Sequence, residues 1–391
     1  MDYVPRRILS KFKLFLDTFP AVMIVGPRQC GKSTFVRREI PTYRHLDLER
    51  PADFSLITAD PELFFDEHPR QVCIDEAQRY PQLFPVLRHV IDRQRTNGSF
   101  VLLGSAGGSL LNTVSESLTG RVGILELTGF TSQELRGIVP WQERWWLGGL
   151  PPLFGLTSAQ QRAAWIESYT STLLERDLPL LGVRVPSPRL RRLWTMLTHL
   201  QGELLNVSAL AQSLELSTTA VYHYLDILEG AFMITRLPPY FANVGKRLVK
   251  SPKVFIRDTG ILHRLAGLRA PGDLESWINR GRSFEGLVVE ELMAAARLEL
   301  DAPQFFFWRT QAGAEVDLLI QQGGRITPVE IKLGTVVSHY DTAGLRQCMK
   351  DLSLPTGFII TRSQEVRAIG GGITIIPWEA VARGEIYPWS G

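Results

Sequence analysis

Ala21-Val22-Met23-Ile24-Val25-Gly26-Pro27-Arg28-Gln29-Cys30-Gly31-Lys32-Ser33-Thr34-Phe35-Val36-Arg37-Arg38-Glu39 is the stretch on which the fold of the N-terminal part turns. Ala21 to Gly26 is apolar and reads as a buried strand. Gly26 to Ser33 has the spacing G-x-x-x-x-G-K-S, and Thr34 to Glu39 reads as a helix. Strand, glycine-framed loop and helix make up the setting in which this spacing cradles phosphate. Glycine keeps Cβ atoms away, so backbone N–H groups can face an anion, and the helix N-terminus adds the positive end of its dipole. Gly26, Pro27, Arg28, Gln29, Cys30, Gly31, Lys32, Ser33 and Thr34 are therefore the expected nucleotide-binding residues. Lys32 is expected to reach the β- and γ-phosphates of a nucleoside triphosphate, and the Ser33 hydroxyl to ligate Mg2+.

Downstream, Gln71-Val72-Cys73-Ile74-Asp75-Glu76 is an apolar strand ending in two acids. Asp75 is expected to hold Mg2+, directly or through water, and Glu76 to polarise the attacking water beside the γ-phosphate. A strand over Arg44–Leu48 lies between the two motifs, and another runs from Phe100 to Ser105. These motifs resemble those of the AAA+ class, in which a polar residue at this strand's end senses the γ-phosphate, and Ser105 fits that position. Arg121, just before a strand over Val122–Leu127, is either a candidate arginine finger, from the same chain or from a neighbour, or an ordinary surface or salt-bridged arginine.

The 391 residues exceed one ordinary core and suggest two or three domains. The composition, 45% hydrophobic and 21% charged, is that of a globular protein, and a net charge of +3 leaves nucleic-acid binding to local patches. Cys30, Cys73 and Cys348 have no metal-ligand spacing and are too few for a disulfide framework, so a reducing, cytoplasmic setting is expected. No stretch has the roughly 18 uncharged apolar residues of a membrane span.

From Asn206 the sequence reads as two short helices around the turn Leu216-Ser217-Thr218-Thr219, then a strand over Phe232–Leu237. This is the pattern of a winged helix-turn-helix. It makes Ser217, Thr218, Thr219, Tyr222 and His223 candidate DNA contacts on the second helix, or else part of a protein-packing lid. A basic run follows, of which Lys246 and Arg247 are candidate phosphate contacts; Lys250, Lys253 and Arg257 continue it, and the run can instead be a solvated edge.

Further on come a helix opening at Phe284-Glu285, strands over Phe305–Arg309 and Ala314–Ile320, and Val329-Glu330-Ile331-Lys332 on a third strand. Strand alternation puts Glu330 and Lys332 on one side, where Asp317 can join them. Two carboxylates beside a lysine can hold Mg2+ and activate water against a phosphodiester, with Glu285 as a further acid. They can also form a salt-bridged sheet surface.

The order of GPRQCGKST, CIDEAQ, LLGSA, SESLTGRV, LLERDL, VSALAQSLELSTTAVYHYLDILEG, KSPKVFIRDTG, SFEGLVVEEL, WRTQAGAEVDLLI and VEIKLG resembles that of the prokaryotic AAA-type P-loop ATPases. In these an N-terminal P-loop domain is joined to a C-terminal domain of unknown function, itself similar to PD-(D/E)XK nucleases. An α/β fold is expected: a P-loop ATPase domain with a parallel sheet over 1–150, its end marked by Trp141, Trp145, Trp146 and Pro151-Pro152, a helical and winged-helix-like segment over 151–245, and a restriction-endonuclease-like domain over 246–391. The resemblance implies ATP hydrolysis, with ATP and Mg2+ as cofactors, and DNA-related work. Duplex or branched DNA is the expected partner, and a homo-oligomer is expected if Arg121 acts on a neighbour. An ATP-regulated nuclease, or an ATP-dependent scaffold for a protein partner, are the alternatives.

Overall fold

In the computed structural model, which describes residues 2–105, 114, 116–180, 182–241 and 249–390, all five residues of β1 (Ala21–Val25) are buried. So are those of β4 (Phe100–Gly104). Near-continuous apolar strands of this kind belong in the middle of a parallel sheet covered on both faces. β1 accordingly pairs in parallel with β4 on one side and with β5 (Val122–Glu126) on the other. β3 (Val72–Asp75) follows β4, and β2 (Arg44–Asp47), whose Arg44 is exposed, closes the edge, giving the order β2-β3-β4-β1-β5. The strand read between the two motifs is thus an edge strand. The one inserted between β1 and β3 is β4, which carries Ser105 at its end.

Because every strand runs the same way, the loop after β1, the acids ending β3 and Ser105 after β4 share the C-terminal edge of the sheet, where open α/β sheets bind ligands. Arg121 does not. It precedes β5, and its carbonyl accepts from Ala21 N–H at the start of β1. Five strand residues, about 16 Å, separate it from the phosphate loop. Within one chain it is not brought to the phosphates; it forms a two-toothed pair with Asp92 at 2.7 and 2.9 Å.

The chain divides into two compact units. The first comprises Met1–Phe130, Leu150–Ser187 and His223–Met233; the second comprises Thr131–Gly149, Pro188–Tyr222 and Ile234–Gly391. Boundaries drawn at 150 and 245 along the sequence therefore differ from the interleaved units. The reason is long-range pairing that composition cannot reveal. Trp145 is buried in the second unit, donating from Nε1 to Ser283 Oγ at 3.0 Å, whereas Tyr169 and Asp177 bond to Arg28 in the first.

In the second unit a six-stranded sheet has the order β13-β14-β12-β11-β10-β9. Its strands are β9 (Gln304–Arg309), β10 (Glu315–Gln322), β11 (Arg325–Ile331), β12 (Gly357–Thr361), β13 (Arg367–Ala368) and β14 (Ile373–Pro377). The helix Arg280–Glu299 supplies Phe284, Leu287, Val288 and Leu292 to one core cluster with Leu318, Ile320, Val329 and Ile331. The helix His339–Asp351 supplies Leu345, Cys348 and Met349 to another with Val316, Leu319 and Ile359. Strict alternation would keep Val316 with Leu318. A bulge between Val316 and Leu319, at Asp317 and Leu318, shifts the phase.

β6 (Glu203–Leu204), β8 (Lys253–Ile256) and β7 (Ile234–Leu237) form a small antiparallel sheet in that order. The two helices expected before it run Val207–Leu214 and Thr218–Gly230. Among the described residues no helix is long and apolar enough to cross a membrane.

Candidate phosphate-binding and carboxylate sites

The loop between β1 and the helix Lys32–Glu39 alternates in handedness: Gln29 has φ 62° and Gly31 φ 99°, with Cys30 between them outside the positive-φ residues. Successive N–H groups in such an alternation point into one concavity and form an anion nest. Gly26 is required for a second reason. At φ 153° a Cβ would stand 2.1 Å from the Leu127 carbonyl oxygen. Lys32 is buried, and its ammonium donates to the carbonyls of Gly26 and Pro27 at 2.9 and 3.0 Å, within its own loop. Ser33 Oγ donates to Asp75 Oδ2 at 2.5 Å. Burial pushes the Asp75 carboxyl upward, as does the charge of Glu76, while the Ser33 bond and Lys32 oppose this. A nest of N–H donors, a lysine held among carbonyls, and a hydroxyl beside a carboxylate fit a triphosphate with Mg2+, which takes hard oxygen ligands.

Glu76 has a left-handed backbone, φ 54°, rare for a residue with a side chain. Its Oε2 accepts from Ser105 Oγ at 2.9 Å and from the Gln78 amide, which also reaches Ser105 Oγ at 3.2 Å. Ser105 is therefore brought to Glu76. Pro27, Cys30 and Thr34 complete the expected loop, with Cys30 buried and Thr34 exposed. Arg28 leaves the loop sideways, pairing with Glu49 at 2.5 Å and Asp177 at 2.6 Å, and lies 3.9 Å from Glu76 Oε1.

The second unit holds the four acidic and basic residues expected there, with an addition. Lys253 Nζ, 1% exposed, lies 2.9 Å from Glu285 Oε1, 2.5 Å from Glu315 Oε1 and 3.1 Å from Asp317 Oδ1. Asp317 Oδ2 accepts from Ile331 N–H at 2.9 Å, and Glu315 also pairs with Arg309 at 2.9 Å. Glu330 and Lys332 pair with each other at 2.7 Å. Burial pushes Glu285 up to about 8, with the negative Asp317 adding to the rise and Lys253 opposing it. Burial also holds Glu330 well above the usual carboxylate range.

Three family descriptions match the chain in succession: an AAA domain over residues 18–136, Domain of unknown function (DUF8612) over 140–272, and Domain of unknown function (DUF4143) over 280–381. The uncharacterized proteins Rv2008c of Mycobacterium tuberculosis and Mb2031c of Mycobacterium bovis are each 40% identical to it over 381 residues, 96% of this chain and 84% of theirs. The chain belongs to the family of these two mycobacterial proteins. Its first unit carries a P-loop ATPase domain. Among solved structures, the Walker-type ATPase PABY2304 of Pyrococcus abyssi aligns at 16% identity and TM-score 0.47, over 68% of this chain and 96% of that one.

In this member of the Rv2008c family the motif reading missed two residues that complete its sites. Arg6 is buried and donates to the Cys30 carbonyl at 2.8 Å and to the Thr128 carbonyl at 2.7 Å, bracing the phosphate loop from the N-terminal segment. No local signal marks it, because its partners lie 24 and 122 residues away. In sequence Lys253 belongs to a basic run that is either a phosphate contact or a solvated edge. It is instead a buried partner of acids, and Arg257 likewise pairs with Glu290 at 2.9 Å. Lys246 and Arg247 lie outside the described residues. Ser217, Thr218, Thr219, Tyr222 and His223 are all exposed.

Proposed function

We propose that the protein is a Mg2+-dependent ATPase that binds DNA and couples hydrolysis to DNA remodelling or translocation. In this reading the nest and Lys32 bind the phosphates, while Ser33 and Asp75 hold the cation. When bound, Mg2+ offsets negative charge on the β- and γ-phosphates. Glu76 orients the attacking water and receives its proton, and Ser105 and Gln78 hold the carboxylate of Glu76 in place. Arg121, at the far edge of the sheet, serves a neighbouring copy in a homo-oligomer.

The DNA part rests on one observation. Five residues able to exchange hydrogen bonds, Ser217, Thr218, Thr219, Tyr222 and His223, are exposed together around the start of one helix, with Tyr222 50% exposed. That is the arrangement by which a second helix reads a groove. The test is the ATPase rate of the full chain with and without duplex, single-stranded and branched DNA. A severalfold rise with at least one form is expected, weakening as salt increases because phosphate contacts release counterions. A rate unchanged by all three forms, with no salt-sensitive binding, would remove DNA as the partner and favour the protein-partner alternative.

A further inference from the structure

We propose that Lys253 is the resident cation of the carboxylate centre in the second unit, and that this centre takes no divalent metal. The inference does not depend on the ATPase or DNA reading. A D…E-x-K arrangement with a helix acid implies Mg2+ between its carboxylates, so the fit can be judged from how those oxygens are used.

An ammonium has three N–H donors and no acceptor. Around Lys253 Nζ there are three carboxylate oxygens, from Glu285, Glu315 and Asp317, at 2.9, 2.5 and 3.1 Å. Glu285 Oε1 and Asp317 Oδ1 accept hydrogen bonds from Nζ, and Glu315 Oε1 is its ion-pair partner. The remaining oxygens are largely committed too, Asp317 Oδ2 to the Ile331 N–H and Glu315 Oε2 to Arg309. Mg2+ needs its oxygens at about 2.0–2.1 Å in a near-octahedral shell. Such an ion among these same oxygens would sit almost on the ammonium, and the two positive charges would repel strongly where burial limits screening. Glu330 Oε2 is the one carboxylate oxygen of the centre that is buried without a hydrogen-bond partner. One oxygen beside the Lys332 ammonium is not a divalent site. Consistent with this, the described residues include no group of three or more His, Cys, Asp or Glu placed to hold a metal.

Chain geometry explains why Lys253 can do this. It lies on β8, outside the six-stranded sheet, and its ammonium reaches acids on the helix Arg280–Glu299 and on β10. The centre thereby pins the small sheet to the large one, as a fixed internal charge cluster.

The experiment is Mn2+ binding to the nucleotide-free full chain, read by the electron paramagnetic resonance of free Mn2+, with plasmid nicking in Mg2+ or Mn2+ as a second readout. Wild type and Asp317→Asn are expected to bind the same number of Mn2+ ions, and neither to nick DNA. Lys253→Met is expected to gain one Mn2+ site, absent from the Lys253→Met/Asp317→Asn double variant. Should Lys253→Met fail to fold, the comparison of wild type with Asp317→Asn decides alone. A Mn2+ site or a nicking activity present in wild type and lost in Asp317→Asn would overturn the proposal.

Discussion

Glu76→Gln is expected to lower ATP turnover by roughly 10²–10⁴-fold while nucleotide binding persists. The carboxylate is held by Ser105 Oγ at 2.9 Å and by Gln78, on a left-handed backbone that directs it along the C-terminal edge of the sheet. Glutamine keeps that shape and can still hydrogen-bond, but it cannot accept a proton from water. Lys32→Ala acts at the other step. Its ammonium already lies on the carbonyls of Gly26 and Pro27, poised for an anion entering the nest, so its loss is expected to abolish nucleotide binding together with turnover. Steady-state phosphate release and titration with a fluorescent ATP analogue separate the two effects. If Glu76→Gln turned over within about threefold of wild type, far below the general-base range, the attacking water would have to be oriented by another residue.

The second large effect concerns acid stability. His263 is 1% exposed and stacks on Trp146 with ring centroids 5.3 Å apart. Its neighbours define a neutral ring. Trp145 Nε1–H donates to Ser283 Oγ at 3.0 Å, leaving the Ser283 hydroxyl proton for His263 Nε2 at 2.8 Å. Nδ1–H then donates to the Trp146 carbonyl at 3.1 Å. Burial lowers the His263 pKa to about 4.

The unfolded chain takes up this proton near pH 6.5, so the contribution to stability is complete above that pH. It is lost as the pH falls towards about 4. At 1.36 kcal/mol per pH unit, that interval amounts to about 3 kcal/mol. Asp258, Glu285, Glu291 and Glu330, all raised by burial, act in the opposite sense. The contribution of His263 is therefore read as a difference. From pH 7 to pH 4.5 the urea midpoint should fall less, or rise more, in His263→Gln than in wild type. Every tryptophan except Trp165 belongs to the second unit, so intrinsic fluorescence follows the unit in question. Identical pH dependence in the two proteins would mean that His263 takes up its proton at the same pH folded and unfolded.

The sequence by itself determined the phosphate loop, the acids at the end of β3 and the parallel sheet, because each is a local matter. Glycine spacing sets backbone handedness within eight residues, and an unbroken apolar run such as Ala21–Val25 has few places to go except a sheet interior. The helices and strands around Asp317, Glu330 and Lys332 were legible for the same reason.

Tertiary structure alone decided the rest, since it depends on partners far along the chain. Strand order put β4, not β2, between β1 and β3 and so delivered Ser105 to Glu76. It also left Arg121 at the opposite edge of the sheet. A bulge, which no alternation pattern predicts, spans Asp317 and Leu318. Lys253 looks in sequence like any lysine of a basic run. Only the folded chain brings it within 3.1 Å of three carboxylates from 32, 62 and 64 residues away, and there the cost of burying its charge is offset by the acids that surround it.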